Sequence, residues 1–344
     1  MTDDTTCHAV LRPRPPLVSI VMPAYNATRF IRQAIDSVLA QTLADLELIV
    51  VDDASTDDTA TVVERIVDAR IRLIRNRCNS GPAYSRNAGI AAARGEWIAL
   101  IDTDDWFTPD RLEAMLVEAR LHDADAVADD LFIVDNGTRR ARSTLLLEAA
   151  CATPDRSFLC AVALVSHEIG ALKPLFRRRL FAERGHRYDV RVRYGEDYLL
   201  YLGWLVDDVR LLVLREPRYF LRRGDTGSLT TRRLAMAAAA VALNRRLLAD
   251  DRIAARPGLK QALARRMEKA RDLLVFYEVL CPLRERRYAD AALALSRAPQ
   301  FIFVALRRLP AIVGLRLGRL AFRWRRPFMS PFLANAPGAR QDLQ

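Results

Sequence analysis

The residues best placed to do chemistry are carboxylates that follow apolar runs. Asp102-Thr103-Asp104-Asp105 comes directly after Glu96 to Ile101, a stretch that reads as a strand. Like charges packed so closely at a strand end are unfavourable unless a cation neutralises them. Carboxylates in D-x-D spacing can point to one side of an extended segment. That suits a hard divalent ion, Mg²⁺ or Mn²⁺, sharing its shell with phosphate oxygens. A solvated turn that caps a helix from Asp110 is the structural alternative. Asp52-Asp53 ends an earlier strand about 30 residues after the first, where an acid in nucleotide-binding βαβ folds holds a ribose or base edge. Here too an N-cap is the alternative.

Other chemistries are disfavoured. The first loop, Pro23-Ala24-Tyr25-Asn26-Ala27, has no glycine and so cannot form the G-x-G-x-x-G turn of a dinucleotide site. His8, His122, His167 and His186 lack metal-ligand spacing, and no G-x-S-x-G nucleophile elbow is present. The five cysteines, Cys7, Cys78, Cys151, Cys160 and Cys281, contain no C-x-x-C pair, so neither a zinc cluster nor a disulfide framework is indicated and a reducing compartment fits.

The elements that must carry these carboxylates follow from periodicity. Val18 to Met22 reads as a buried strand ending at Pro23, followed by helix-spaced Phe30, Ile31, Ala34, Ile35, Val38 and Leu39. Leu46 to Val51 is a second strand, with a helix through Val62, Val63, Ile66 and Val67. Ile71 to Ile74 is a third, Ala83 to Ala93 a helix, and Glu96 to Ile101 the fourth strand. Strands alternating with helices predict a doubly wound parallel α/β sheet, whose ligands bind at the C-terminal ends of the strands. Residues from about 126 to 219 read as the second half of the same domain. Beyond Thr230, three or four helices are expected, broken by Pro257, Pro282, Pro299 and Pro310.

The chain carries 53 basic and 42 acidic residues in 344, with 51% hydrophobic residues, the composition of an ordinary folded protein. The charge is uneven: residues 231–344 hold 23 basic residues against 8 acidic. A division follows into a flexible N-terminus (1–16), a catalytic domain (17–230) and a basic helical extension (231–344). No signal peptide or uncharged run of about 18 apolar residues is present, so a cytoplasmic location with at most peripheral membrane contact is expected. Residues 297–326 contain eight arginines and no acid, interleaved with residues such as Phe301, Phe303, Leu306 and Trp324. Such a helix fits an anionic lipid surface, or packs on the catalytic domain with its arginines in water. Nucleic acid is disfavoured, because no recognisable module accompanies the charge.

The ordered series of motifs resembles family 2 glycosyltransferases. It runs from Val18-Ser19-Ile20-Val21-Met22-Pro23-Ala24-Tyr25-Asn26 through Ser37-Val38-Leu39-Ala40-Gln41-Thr42 to Val50-Val51-Asp52-Asp53-Ala54-Ser55. Asn79-Ser80-Gly81-Pro82, Arg86-Asn87-Ala88-Gly89, Gly95-Glu96-Trp97-Ile98, the acidic run and Pro109-Asp110-Arg111-Leu112 follow in the family's order. The resemblance implies a mixed, doubly wound sheet of the nucleotide-diphospho-sugar transferase (GT-A) type with a C-terminal helical extension. It implies hexosyl transfer with inversion. Asp53 then contacts the nucleotide base beside Pro23 and Tyr25. Asp102 and Asp104 hold Mg²⁺ or Mn²⁺, Asp104 being the more direct ligand, and Asp105 has no assigned role. Arg86 contacts the donor, or else pairs with Asp53 or Asp102. Arg193-Tyr194-Gly195-Glu196-Asp197 resembles the family's Glu-Asp pair, in which Asp197 is the catalytic base; capping of the helix that follows is the alternative. Arg222, near Tyr219 and Ser228, holds the leaving diphosphate or is simply solvated.

Within the family, the chain's build is similar to transferases that extend lipid-linked repeat units of exopolysaccharide, including those of succinoglycan-type assembly. That implies a nucleotide-diphospho-sugar donor, UDP-glucose first among them, and a lipid-linked saccharide acceptor on the inner face of the cytoplasmic membrane. The Gln-x-x-Arg-Trp signature of processive synthases is absent. A non-catalytic nucleotide-binding or membrane-scaffold protein with a degenerate site is the alternative from another class.

Overall fold

The computed structural model describes residues 14–135, 140–223 and 229–306. Most of the expected flexible N-terminus, and the arginine-rich tail beyond residue 306, lie outside these residues. The first half alternates as the patterning predicts: β1 (Val18–Ala24), α1 (Ile31–Leu39), β2 (Leu46–Asp52), α2 (Thr59–Glu64), β3 (Ile71–Arg75), α3 (Pro82–Ala92) and β4 (Trp97–Leu100). β2 is buried along its whole length, which is why a near-continuous run of β-branched and aliphatic residues, rather than an alternating one, encodes it.

β1 runs through Pro23 instead of stopping before it. Its ladder with β4 ends at Val21, while pairing with β2 continues to Ala24. Past Val21 the strand has a partner on one side only, where a residue without an amide proton is tolerated. α2 is shorter than its apolar spacing predicts. A turn in which the Asp68 carboxylate accepts the Arg70 amide at 2.9 Å closes the segment, and Val67 is left 100% exposed.

The second half holds β5 (Trp106–Phe107), α4 (Arg111–Leu121), β6 (Ala126–Asp135), β7 (Ala141–Thr144), α5 (Leu145–Glu148) and β8 (Arg156–Phe158). It continues with α6 (Ala161–His167), β9 (Leu175–Arg177), α7 (Arg179–Ala182), α8 (Glu196–Val206) and β10 (Leu211–Arg223). The main path of the sheet is β3-β2-β1-β4-β9-β6-β10-β5. The all-parallel arrangement predicted from alternation is therefore corrected. β9 lies antiparallel between β4 and β6, and β5 lies antiparallel to β10. The mixed sheet implied by the family resemblance is the one present.

α3 lies unusually close to the sheet. A Cβ added at Gly89 would overlap the Val21 side chain, so glycine lets the helix settle on β1. Arg86 lies one turn earlier on the same buried face, which carries its guanidinium over the ends of the strands.

The chain continues into α9 (Leu229–Leu248), α10 (Asp251–Ala254), α11 (Pro257–Arg284) and α12 (Tyr288–Arg297). Leu243, Leu247, Ile253, Leu259 and Leu263 join the same core as the sheet, so these helices form a layer on the α/β half. Of the prolines expected to break helices, Pro257 stands at the break between α10 and α11 and opens the latter, where its missing amide has no intrahelical partner to lose, and Pro299 follows the end of α12. Pro310 lies outside the described residues, and Pro282 does not break its helix. Pro282 sits in the last turn of α11, where only a terminal hydrogen bond is forfeited.

Candidate active site

β4 delivers the acidic run to the sheet edge, and β10 pins it there. Asp105 is 1% exposed. Its two carboxylate oxygens accept the Tyr219 hydroxyl at 2.6 Å and the Arg222 amide at 2.7 Å. The Tyr219 hydroxyl also accepts the Asp102 amide at 3.2 Å. Asp105 thus fastens the loop to β10. Burial, then the charges of Asp104 and Asp102, push its carboxyl well above the ordinary range.

Asp102 faces the other way, toward two buried cations. Its Oδ1 accepts Arg86 Nη2 at 2.9 Å, and its Oδ2 lies 3.0 Å from Lys173 Nζ. Lys173 reaches Asp197 Oδ2 at the same 3.0 Å. Arg86 Nη1 donates to Glu196 at 2.8 Å and lies 3.4 Å from Asp197 Oδ1. Asp102 and Asp197 are therefore cross-braced by one arginine and one lysine, each with 5% side-chain exposure. Burial opposes the charge of Asp102, but Lys173 and Arg86 outweigh it and hold the carboxyl well below its usual range. Burial also opposes the charge of Lys173, yet Asp102 and then Asp197 keep its ammonium above the ordinary lysine value.

Each brace has a local cause. α3 carries Arg86, and the turn before α3 is held by Asp53: its carboxylate accepts Asn76 Nδ2 at 2.7 Å, Ser80 N at 3.1 Å and Gly81 N at 2.7 Å. Gly81 has φ +86°, a conformation glycine adopts without strain. Next to Arg86, the Asn87 side chain donates to the Tyr188 carbonyl at 2.9 Å and accepts its amide at 3.0 Å. This fixes the segment leading into α8, whose first turn supplies Glu196 and Asp197 after Gly195 at φ +84°.

Asp104 differs from its neighbours. Among the described residues no ion pair closes on its carboxylate, and burial followed by the nearby Asp102 charge raises its pKa. A group in that state is stabilised by an added cation. No group of three or more His, Cys, Asp or Glu forms a protein-only cage among the described residues. Mg²⁺ sites that handle phosphates use one or two carboxylates, with water and phosphate supplying the rest. Asp104, with Asp102 behind it, fits that donor set. Arg222 packs between Phe30 and Trp106, at 4.5 and 4.9 Å from the ring centres. Its Nε donates to the Asp104 carbonyl at 2.8 Å and one terminal nitrogen donates to Gln33 at 3.1 Å. It holds the Asp104 backbone in place.

Pro23 and Tyr25 stand where β1 ends, beside Asp53 at the end of β2. The two loops are stitched together: the Thr56 amide donates to Asn26 Oδ1 at 2.8 Å and the Ala27 amide to Thr59 Oγ1 at 2.7 Å. Tyr25 is half exposed on that rim. The structure thus places Asp102, Asp197 and Arg86 in one cluster, Asp104 on the adjoining loop with Arg222 of β10 bonded to its carbonyl, and Pro23, Tyr25 and Asp53 at the neighbouring ends of β1 and β2. Of the two pairings open to Arg86, it makes the one with Asp102 and not the one with Asp53. Lys173 carries no role in the sequence reading. A signal was present: the chain has 50 arginines but three lysines, and Lys173 is the one that precedes residue 260.

A mixed sheet with an acidic loop closing its fourth strand, under a helical layer, defines a nucleotide-diphospho-sugar transferase fold of the GT-A type. The chain belongs to glycosyl transferase family 2, whose family model matches residues 19–181, and it is a glycosyltransferase. It is 37% identical over 339 residues to the succinoglycan biosynthesis protein ExoO of Rhizobium meliloti, covering 94% of this chain and 91% of that protein. It is 34% identical over 217 residues to the succinoglycan biosynthesis protein ExoU of the same organism, covering 60% of this chain and 61% of ExoU. Among solved structures it is similar to S. aureus TarS in complex with UDP-GlcNAc, with a TM-score of 0.55 at 16% identity over 82% of this chain and 91% of that one. The mannosyltransferase PcManGT of Pyrobaculum calidifontis, in complex with GDP-Man and Mn²⁺, gives a TM-score of 0.54 at 20% identity over 94% of this chain and 83% of that one. At these identities the structural likeness is one of fold.

Proposed function

We propose that the chain transfers a sugar, with inversion, from a nucleotide-diphospho-sugar to a saccharide acceptor in exopolysaccharide assembly. The observation that carries this reading is the shared lysine. Asp102 and Asp197 each put an oxygen 3.0 Å from the same Lys173 nitrogen, so the two carboxylates lie within twice that distance of each other. A donor-side carboxylate and an acceptor-side carboxylate are then close enough to flank one sugar ring.

In this arrangement Asp197 takes the proton from the acceptor hydroxyl as that oxygen attacks the anomeric carbon. Lys173 and Arg86 hold its carboxylate in place, at 3.0 and 3.4 Å. Pro23, Tyr25 and Asp53 form the wall for the nucleotide base; Asp53 already accepts from the turn before α3, and a carboxylate has room for a further donor. Asp104 and Asp102 would hold the divalent ion, which when bound supplies positive charge to the departing diphosphate. Arg222 sets the Asp104 backbone and is the β10 arginine proposed to meet the leaving diphosphate. Similarity to two succinoglycan biosynthesis proteins supports the exopolysaccharide context, and UDP-glucose is the first donor to test. A lipid-linked acceptor on the inner membrane face fits the same context. No helix among the described residues is long and apolar enough to cross a membrane; peripheral attachment is proposed from the arginine-rich, aromatic-bearing sequence of residues 297–326.

The test is a panel of nucleotide-sugars offered to the purified chain with Mn²⁺, Mg²⁺ or chelator. Release of nucleoside diphosphate should require the divalent ion. Asp104→Asn should remove the metal-dependent part of donor affinity in calorimetric titration, leaving a weaker affinity that is the same with and without Mn²⁺. A variant that keeps the full Mn²⁺-dependent gain would remove Asp104 from the metal site.

A further inference from the structure

We propose that Lys173 is a positioning residue of the transfer, its ammonium fixing the Asp197 carboxylate against Asp102. The inference rests on the reading of Asp197 as the base and adds a residue to it. Lys173 lies beneath the two carboxylates: its side chain is 5% exposed, against 28% for Asp102 and 13% for Asp197. It acts through them, from a place the sugar does not reach without displacing one of them.

The ammonium has a rigid mount. The Lys173 carbonyl accepts Arg111 Nη2 at 2.5 Å, and Arg111 is held by Asp129 through two further hydrogen bonds of 2.9 and 2.7 Å. Neither Arg111 nor Asp129 is exposed to solvent. One residue earlier, the Leu172 carbonyl accepts the Tyr201 hydroxyl from α8 at 2.9 Å. One residue later comes Pro174, which restricts the backbone of the residue before it. The segment is therefore fastened to α4 on one side and to α8 on the other, and α8 is the helix that carries Asp197.

The residue type fits this task. A lysine ammonium is a compact point charge whose single nitrogen serves both carboxylates at 3.0 Å, whereas Arg86 reaches the same two from separate nitrogens of a flat fork. In a chain with 50 arginines and three lysines, the position between these two acids beside Arg86 is taken by a lysine, whose one nitrogen fits where a second fork would have to turn. Positioning at this scale matters, since a displacement of about 1 Å at a reacting group lowers turnover by about 10²-fold.

The experiment is a double-mutant cycle on the purified full-length chain, using the first nucleotide-sugar of the panel that the wild type turns over. Lys173→Met, Asp197→Asn and the double variant are compared for kcat, donor KM and thermal midpoint. Lys173→Met should lower kcat by about 10 to 10²-fold with donor KM little changed, because Arg86 still holds Asp102. The double variant should lose no more than Asp197→Asn alone, since a residue that acts through the base has nothing left to act on. Lys173→Arg keeps the charge and guards against a variant that fails to fold; folded, it should still lose about tenfold or more in kcat. Wild-type kcat in folded Lys173→Arg, losses that multiply in the double variant, or a lowered thermal midpoint with unchanged kcat would each overturn the positioning role. Those results differ from failure of the functional reading, which shows as near-normal transfer by Asp197→Asn itself or as a wild type inactive with the whole panel.

Discussion

Asp197→Asn is expected to lower sugar transfer by about 10² to 10⁴-fold while donor affinity stays near the wild-type value. Asparagine keeps the size of the side chain and can still accept a hydrogen bond from Lys173, which lies 3.0 Å from Asp197 Oδ2. What it loses is the ability to take a proton. Donor affinity should hold because Lys173 and Arg86 both retain Asp102 as a partner. A carboxylate that only caps α8 would behave otherwise, since loss of a cap removes roughly 1 kcal/mol of stability and leaves turnover per folded molecule intact. Turnover, calorimetric donor titration and thermal unfolding on one preparation separate the two. Near-normal turnover would reject Asp197 as the base.

The second large effect is on stability. Arg111 and Asp129 form a pair with no solvent exposure on either side chain, and Arg111 packs over the rings of Phe107 and Tyr219 at 4.5 and 5.0 Å. Arg111→Met should destabilise the fold by about 3–5 kcal/mol, because Asp129 is left buried without its counter-ion. Arg111→Met with Asp129→Leu should recover most of that loss, since an apolar pair of similar volume carries no uncompensated charge. Denaturant unfolding of the two variants measures the difference. Equal stability of the single and double variants would show that the buried charge of Asp129 is not the source of the loss.

Those two residues also mark how much the sequence made legible. The strands that end at Ala24, Asp52 and Leu100 were readable because each is a short apolar run closed by polar residues, and α1 keeps its apolar period. The acidic run and Asp197 were readable as an ordered set of motifs. β9 was not. It has three residues, too few for a period, and its direction is set by its neighbours β4 and β6. The tie between Asp102, Lys173 and Asp197 spans residues far apart in the chain, so no local pattern reports it. Asp105 sits in the same run as Asp102 and Asp104, yet it turns inward to Tyr219 and Arg222. The resemblance singles out Asp104 as the more direct metal ligand, but nothing in the sequence marks Asp102 as the partner of Arg86 and Lys173 or Asp105 as an anchor. The packing of β10 against β5 does that. The same holds for Arg86, whose pairing with Asp102 follows from the place of α3 over β1.

The most direct measurement is the anomeric configuration of the product, followed by proton NMR as an α-linked nucleotide-sugar is consumed by the wild-type chain. A single displacement, with Asp197 deprotonating the acceptor on the face opposite the leaving diphosphate, gives a β-configured product at the earliest times, and this signal should vanish in Asp197→Asn. An α-configured product from the wild type would contradict the assignment of a single base at an inverting site.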